Sequence, residues 1–517
     1  MEKLYNNILL PDNFADQPSS PEDVPYLKNP PEVIDISVGR QLFVDDFLIE
    51  KTTLQPVFHK AKKYDGNPVL KAETEWENDP IPVACPKSGG IWYDEEEKIF
   101  KAWYEAGWLR HSCYAVSKDG LHWERPDLGF VKGTNIILPY EGFELEKQIK
   151  EGVFEGDLSF LRPDSNAVFI DYSAPAAERY KLFMRNPGGM GRGMAAVSRD
   201  GLHFEKFRFT NALGDRSTIF YNPFRKKWVY SIRSIETNET GWYRARRYRE
   251  CDDFLAGATW DASEEHRWLS CDALDKPNPY IGMTPQLYNV DCVGYESIML
   301  GMFQVTFGPE NNICEAHGVP KITELIPMYS RDGYHFSRPC RDSIINASVG
   351  EGTWDRGYVQ SVGGVTIIRG DELWIYYIGF AGDRARAGQS AMTNGMYSGG
   401  ATGIAKLRRD GFVSLCGDGT LLTRKVCFTE KNAMYINASG RVQVQLLDAE
   451  GGEIATSRVF DGDSTKAEVV FDSYNVSTLS GHVFRIRFIV DGALYAFGFA
   501  DATGNFGGAS AAGEVIL

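Results

Sequence analysis

The chain is predicted to be all-β, a five-bladed β-propeller followed by a small C-terminal β-sandwich. Three observations predict this. One phrase recurs three times, an aromatic-rich strand pair stands before each recurrence, and beyond about residue 420 the text changes to strict apolar–polar alternation.

The recurring phrase is Ser117-Lys118-Asp119-Gly120-Leu121-His122-Trp123, then Ser198-Arg199-Asp200-Gly201-Leu202-His203-Phe204, then Ser330-Arg331-Asp332-Gly333-Tyr334-His335-Phe336. In each copy an apolar strand runs into an Asp-Gly turn and leaves it with an aromatic side chain, as an outer hairpin of a sheet would. Weaker relatives stand at Glu250-Cys251-Asp252-Asp253-Phe254 and Leu407-Arg408-Arg409-Asp410-Gly411-Phe412. Five hairpins roughly 50 to 80 residues apart are too widely spaced for a solenoid and suit four-stranded propeller blades. The preceding strand pairs fall at residues 91–104, 167–183, 218–230, 294–300 and 365–377. Five openings and five closings predict five blades.

Residues 433–436, 441–447, 466–471, 482–489 and 493–499 alternate apolar and polar positions between short glycine-containing turns, the signature of a half-buried antiparallel sheet. The expected organisation is an N-terminal arm over 1–40, a catalytic propeller over 41–420 and a sandwich over 421–517.

Composition narrows the function. With 55 Lys and Arg against 70 Asp and Glu the formal charge is −15, so a phosphate backbone is not an expected partner. The opening residues 1–14 lack the apolar run of a signal peptide or membrane span, which makes the cytoplasm the expected location and a membrane partner unexpected. Nine Cys show no CxxC pair and no zinc spacing and read as mostly buried free thiols. No P-loop, dinucleotide glycine motif or Gly-x-Ser-x-Gly elbow occurs in a suitable context, and no cofactor or metal is expected. Homo-oligomerisation is left open.

A five-bladed propeller followed by a sandwich resembles glycoside hydrolase family 32, and the propeller resembles that of family 43. Trp76-Glu77-Asn78-Asp79-Pro80 is similar to the family 32 motif Trp-Met-Asn-Asp-Pro-Asn-Gly, although about ten residues separate it here from the strand at Ile91. Leu446-Leu447-Asp448, Arg485-Ile486-Arg487-Phe488 and Leu494-Tyr495-Ala496-Phe497-Gly498-Phe499 resemble the sandwich end of such enzymes. The phrase Leu42-Phe43-Val44-Asp45-Asp46-Phe47-Leu48-Ile49-Glu50 is similar to the opening of a large set of bacterial proteins. The resemblance implies a nucleophile or base in the first blade, a stabilising Asp in the second and an acid Glu in the third. It also implies an exo-acting glycosidase that releases a furanose of the fructose or arabinose type from short oligosaccharides.

Cleaving a glycosidic bond takes one carboxylic acid to protonate the leaving oxygen and a second carboxylate to attack carbon or activate water. In a propeller such groups converge only if they stand just before innermost strands. That test selects Asp79, Asp164 in Arg162-Pro163-Asp164-Ser165-Asn166, Asp215 in Gly214-Asp215-Arg216-Ser217, Asp291, Glu296 and Asp355 in Trp354-Asp355-Arg356. The expected catalytic set is Asp79, Asp215 and Glu296, the last because an apolar strand beside it would raise its pKa. Glu236 and Glu239 are rivals for the acid. Expected substrate contacts are Trp76, Glu77, Asn78, Asp164, Arg216, Arg233, Trp354, Asp355 and Arg356, with Trp108 and Trp242 as further platforms.

Structural readings compete with these. Asp119, Asp200 and Asp332 read as turn caps and His122, His203 and His335 as hairpin packing, while Asp45 and Asp46 either cap a turn or face the pocket. A loop Trp equally serves rim packing, and an Arg beside an acid equally holds it ionised. Against the hydrolase stand a non-catalytic carbohydrate-binding propeller and a glycoside phosphorylase or lyase on the same fold.

Overall fold

The computed structural model describes residues 1–17, 24–138, 164–185, 191–239, 241–386 and 395–515. Five antiparallel sheets follow one another in chain order as blades I to V. Blade I orders Ala84–Cys85 and Ile91–Asp94 on its inner edge, then Ile99–Ala106, His111–Ser117 and Ile136–Leu138. Blade II runs Asp164–Ile170, Tyr180–Arg185, Arg192–Ser198, Phe204–Ala212, and blade III Thr218–Asn222, Lys227–Asn238, Gly241–Cys251, His266–Ser270. Blade IV has Gln286–Glu296, Ile298–Gly308 and Ile322–Ser330, with single outer bridges at Ser337 and Ile345. Blade V has Gly357–Ser361 and Ile367–Arg369 inside, then Glu372–Phe380 and Gly400–Arg408. Its outer strand is Lys62–Lys63, so an early segment of the chain closes the last blade. Lys63 is fixed there by Asp355, whose carboxylate lies 2.6 Å from its Nζ.

The recurring phrase joins the third strand of a blade to its outer edge. The Asp carboxylate of each copy accepts the backbone N–H groups two and three residues on, the Gly N–H between donates to the Ser Oγ, and Asp–His contacts of 2.6 to 2.7 Å complete the turns. The turns also stitch neighbouring blades. Gly120 O accepts from Tyr376 Oη of blade V at 2.9 Å, Gly201 O from Trp103 Nε1 of blade I at 2.8 Å, and Tyr334 O from Trp268 Nε1 of blade III at 2.6 Å. Gly120, Gly201 and Gly333 have φ of 77°, 77° and 79°, and a Cβ there would stand 2.1 to 2.8 Å from a side chain of the adjacent blade. The glycine therefore serves both the turn and the seam between blades.

The copies are unequal in burial. The Asp332 side chain is 3% exposed against 43% for Asp119. Asp332→Ala is expected to cost about 2–3 kcal/mol because it strands buried N–H groups, and Asp119→Ala under about 1 kcal/mol because water replaces the carboxylate. Urea denaturation of the two variants checks this, and equal losses would refute it.

After blade V the chain forms a ten-stranded sheet in which the long strands Ala433–Asp448 and Phe484–Ala500 pair along their length. Val413–Thr423, which begins before residue 421, already belongs to it, as do Gln41–Leu42, Ile49–Thr52 and Gln55–Phe58. Conversely Ala509–Ser510 and Glu514–Val515 return to blades IV and V. The expected two-layered body is thus one continuous sheet doubled over. Phe488 and Phe497 stand on one strand, nine residues of roughly 3.3 Å apart, yet their ring centroids are 5.3 Å from each other. The fold line is a row of glycines on neighbouring strands, Gly417, Gly492, Gly440 and Gly462, paired in that order.

The phrase around Asp45 ties the bodies together. Asp45 caps a short turn through Phe47 N and lies 2.9 Å from Arg331 of the third recurring phrase, with both side chains at most 2% exposed. It does not face the pocket. The nine thiols are free: Cys85, Cys113, Cys292 and Cys314 are buried and the other five partly so. Among the described residues no helix is long and apolar enough to cross a membrane.

Candidate functional site

All five innermost strands start at one end of the propeller axis, and the residues at those starts come together. In blade I, Lys87 precedes the inner strand, Glu105 ends the second strand and Trp108 lies in the turn after it. Lys87 Nζ is 2.9 Å from Glu105, 3.7 Å from Asp164 of blade II and 3.9 Å from the centre of the Trp108 ring. Asp164 is paired across its blade with Arg185, at 3.4 Å. Burial pushes the Glu105 carboxyl up to about 7 against the pull of Lys87.

Blade III contributes Asp215 and Arg216, at the turn into its inner strand. Arg216 has φ of 57°, is buried, and donates to Ser88 Oγ at 3.1 Å. Burial works against its charge, but Asp164, Tyr288, Tyr358 and Asp291 together outweigh that cost and raise its pKa. Behind it Arg246 donates from Nη1 to the carbonyl of Arg216 at 2.6 Å and from Nη2 to that of Tyr288. Burial first, then the charges of Arg233 and Arg216, push Arg246 down to about 9.

Blades IV and V supply an aromatic wall. Tyr288 and Tyr358 join their hydroxyls in a hydrogen bond, Tyr397 packs 5.3 Å from Tyr358, and Trp108 stacks on Tyr397 at 4.2 Å and 11°. The negative charge of Asp215 raises the pKa values of the Tyr288, Tyr358 and Tyr397 phenols, after the larger effect of burial, and opposes the lowering of Lys321. Deeper on the axis Asp291 accepts from Ser361, from Ser88 at 3.3 Å and from Asn289 at 3.1 Å, and burial raises its pKa.

Of the residues expected from sequence, Asp164, Asp215, Arg216 and Arg233 meet at this end. Asp215 makes no hydrogen bond or ion pair to any described residue. Asp79 lies at the same end but on the rim, 54% exposed and 3.1 Å from Arg110. The rest of its motif is structural. Glu77 is buried and accepts from Tyr104 at 2.6 Å, Arg125 at 2.7 Å and the N–H groups of Glu73 and Thr74. Trp76 donates to Asn135 and Asn78 to the Thr74 carbonyl. Glu236, the rival acid, is held by Arg247 at 3.0 Å.

Glu296 is a correction. It closes the inner strand of blade IV at the opposite end, eight residues and roughly 26 Å of extended chain beyond Tyr288. Its carboxylate accepts from Arg40 N at 3.0 Å and Arg409 Nη2 at 3.1 Å. Burial and the charge of Asp410 do raise its pKa, but the cause is a buried ion cluster between propeller and C-terminal sheet. Trp354, Asp355 and Arg356 are corrected likewise. Asp355 is held by Lys63 and by Tyr377 Oη at 3.0 Å, Trp354 packs 5.3 Å from the Tyr377 ring, and Arg356 reaches Glu351 at 3.8 Å. The segment that enters blade V braces its outer layers rather than the axis.

Lys87, Glu105, Tyr288, Lys321, Tyr358 and Tyr397 escaped the sequence reading. A usable signal existed for the first: Lys87-Ser88, Asp164-Ser165 and Arg216-Ser217 each place a charge and a serine before an inner strand. Arg162 and Pro163 of the second phrase lie outside the described residues. Among the described residues no cluster of three or more His, Cys, Asp and Glu side chains is placed to hold a metal ion.

No protein-family model and no curated protein matches the chain. Solved structures similar to it include a putative glycoside hydrolase from Parabacteroides distasonis, at 11% identity and a TM-score of 0.41 over 68% of this chain and 97% of that one. An exo-β-1,3-galactanase from Phanerochaete chrysosporium is similar at 10% identity and 0.35, over 86% and 99%. A β-fructofuranosidase from Bombyx mori is similar at 10% identity and 0.33, over 86% and 93%.

Proposed function

We propose that the chain is a glycoside-cleaving enzyme whose chemistry takes place at the axial pocket, with Asp215 exchanging the proton of the glycosidic oxygen and Asp164 as the second carboxylate. The observation that carries this is the delivery of two carboxylates from adjacent inner strands to one pocket, Asp164 clamped by Lys87 and Arg185 and Asp215 left without a described partner. Breaking the bond moves a proton onto the leaving oxygen and brings water to the anomeric carbon. A clamped carboxylate facing the pocket stabilises the positive charge that develops on the sugar, and a free one has room for the proton transfer. A furanose of the fructose or arabinose type is the sugar first to be tried, on the resemblance in sequence alone.

The test is release of reducing sugar from a panel of fructosides, arabinofuranosides, galactosides and mannosides. Turnover of at least one member is expected, and Glu296→Gln is expected to keep the rate per folded molecule while lowering the melting temperature, because Glu296 serves the ion cluster at the far end. Binding without turnover of any member would replace the enzyme by a carbohydrate-binding propeller, and loss of turnover in folded Glu296→Gln would return the chemistry to that end.

A further inference from the structure

Most strongly buried cations in this molecule sit on carboxylates. Arg331 lies on Asp45, Lys101 on Asp94, Arg338 on Asp275 and Arg40 on Asp410, all within 3 Å, and Lys87 on Glu105 does the same inside the pocket. This is the expected arrangement, because an uncompensated buried charge is costly. The pocket face shared by blades III and IV breaks the pattern.

Arg233 and Arg246 are directly paired across adjacent strands of blade III, and Arg244 follows two pairs further along, opposite Ile235. Lys321, which enters the third strand of blade IV, is 6% exposed, with its Nζ 5.7 and 5.9 Å from the Tyr288 and Tyr358 rings. None of these four cations has an ion pair among the described residues. The hydrogen bonds that Arg246 donates all end on backbone carbonyls, of Arg216, Ser231 and Tyr288, and its Nε has no partner. Lys321 Nζ has no hydrogen bond to a described residue, and the acids whose charges act on it, Glu310 and Asp215, are beyond ion-pair distance. The cations repel one another: burial and Arg244 lower the pKa of Lys321, and burial, Arg233 and Arg216 lower that of Arg246, more than the charges of Asp291 and Asp215 restore. In a chain of net charge −15 this concentration of unmatched positive charge marks a place where the negative charge comes from outside.

We propose that Arg233, Arg244 and Lys321, backed by Arg246, form an oxyanion-binding subsite beside Asp215, so that the reaction there involves a carboxylate, sulfate or phosphate group. The inference rests on the axial pocket being the reaction site. The oxyanion is either borne by the sugar, as in a uronide or sulfated glycoside, or is free phosphate acting in place of water. In the second case a phosphate oxygen bonds to the anomeric carbon as the glycosidic C–O bond breaks, and the leaving oxygen takes its proton from Asp215. Guanidinium and ammonium groups serve both, since each presents several N–H donors to a multidentate oxyanion.

Two measurements test this. Calorimetric titration with inorganic sulfate, inorganic phosphate and glucuronate is expected to show saturable binding of at least one, weakened roughly tenfold or more in Lys321→Met. Arg233→Gln, at a less buried position, keeps the test valid if Lys321→Met fails to fold. Initial rates on neutral glycosides and the matching uronides, with and without phosphate, then identify the source. Preference for uronides in phosphate-free buffer assigns the oxyanion to the sugar, and turnover of neutral glycosides only with phosphate assigns it to the co-substrate. Anion binding without cleavage of any substrate upholds the subsite and defeats the catalytic reading. Neutral glycosides hydrolysed at rates indifferent to both variants, with no anion bound, overturn the subsite and leave the catalytic reading standing.

Discussion

Asp215→Asn is expected to lower kcat/KM by roughly a thousandfold or more while lowering the melting temperature of the ligand-free protein only slightly, the size of effect that loss of a proton-transferring group produces. The two halves of this expectation have separate grounds. Stability should change little because the amide breaks no hydrogen bond or ion pair to a described residue and forfeits only the longer-range pull of the carboxylate on Lys321 and Arg246. Activity should collapse because Asp215 stands at the turn into the inner strand of blade III, next to the buried Arg216, and its charge acts on Tyr288, Tyr358, Tyr397 and Lys321. Asp164→Asn should also impair turnover, but with a loss of stability, since Lys87 and Arg185 then lose a counter-charge. Asp79→Asn should change the rate less than about threefold, because its carboxylate is exposed and engaged by Arg110. Full activity in folded Asp215→Asn would remove the proton transfer from this residue, and a thousandfold loss in Asp79→Asn would move it to the rim.

The contrast among these carboxylates shows what the sequence could and could not convey. Blade number was legible because the turn chemistry of Asp119, Asp200 and Asp332 is local: an Asp that caps two N–H groups, followed by a glycine at positive φ, reads the same on the page as in space. The approach of inner strands to the axis was legible for the same reason, and it led to Asp164 and Asp215. It misleads at Glu296, where an apolar neighbourhood does not mark a pocket. Burial does raise that carboxyl, but burial has no direction, and the residue closes its strand instead of opening it. The eleven-residue strand that ends at Glu296 has only Ser297 between it and the next, so no turn chemistry announced which end of it was which. Lys321, Tyr358 and Tyr397 were out of reach because they are recruited from loops and strands far apart in sequence, and only the closed ring brings them to Asp215. Closure of blade V by Lys62–Lys63 was hidden likewise, since two residues carry no periodicity.

Gly492→Val is expected to cost more than about 4 kcal/mol and to be the most damaging single substitution outside the pocket. Gly492 has φ of 146°, and a Cβ there would stand 2.2 Å from the backbone oxygen of Ser439, a contact that no rotamer relieves. Its partners in the fold line, Gly440 at 93° and Gly417 at 131°, show that the bend is shared across strands and cannot be displaced by one residue without breaking the register. The consequence reaches beyond the bend. Phe484 and Phe488 meet Phe499 and Phe497 only because the strand turns back on itself, with ring centroids 5.9 and 5.3 Å apart. That aromatic core continues through Phe43 to the segment that anchors Arg331, and so to blade IV. Straightening the strand therefore opens the two-layered body and withdraws support from the propeller together. Chemical denaturation should show one lowered transition for Gly492→Val, whereas Gly451→Ala, at a turn with φ of 95° and nothing within 4 Å of the added Cβ, should lose no more than about 1 to 2 kcal/mol. Equal losses would mean that positive φ alone, and not the crowded fold line, sets the cost.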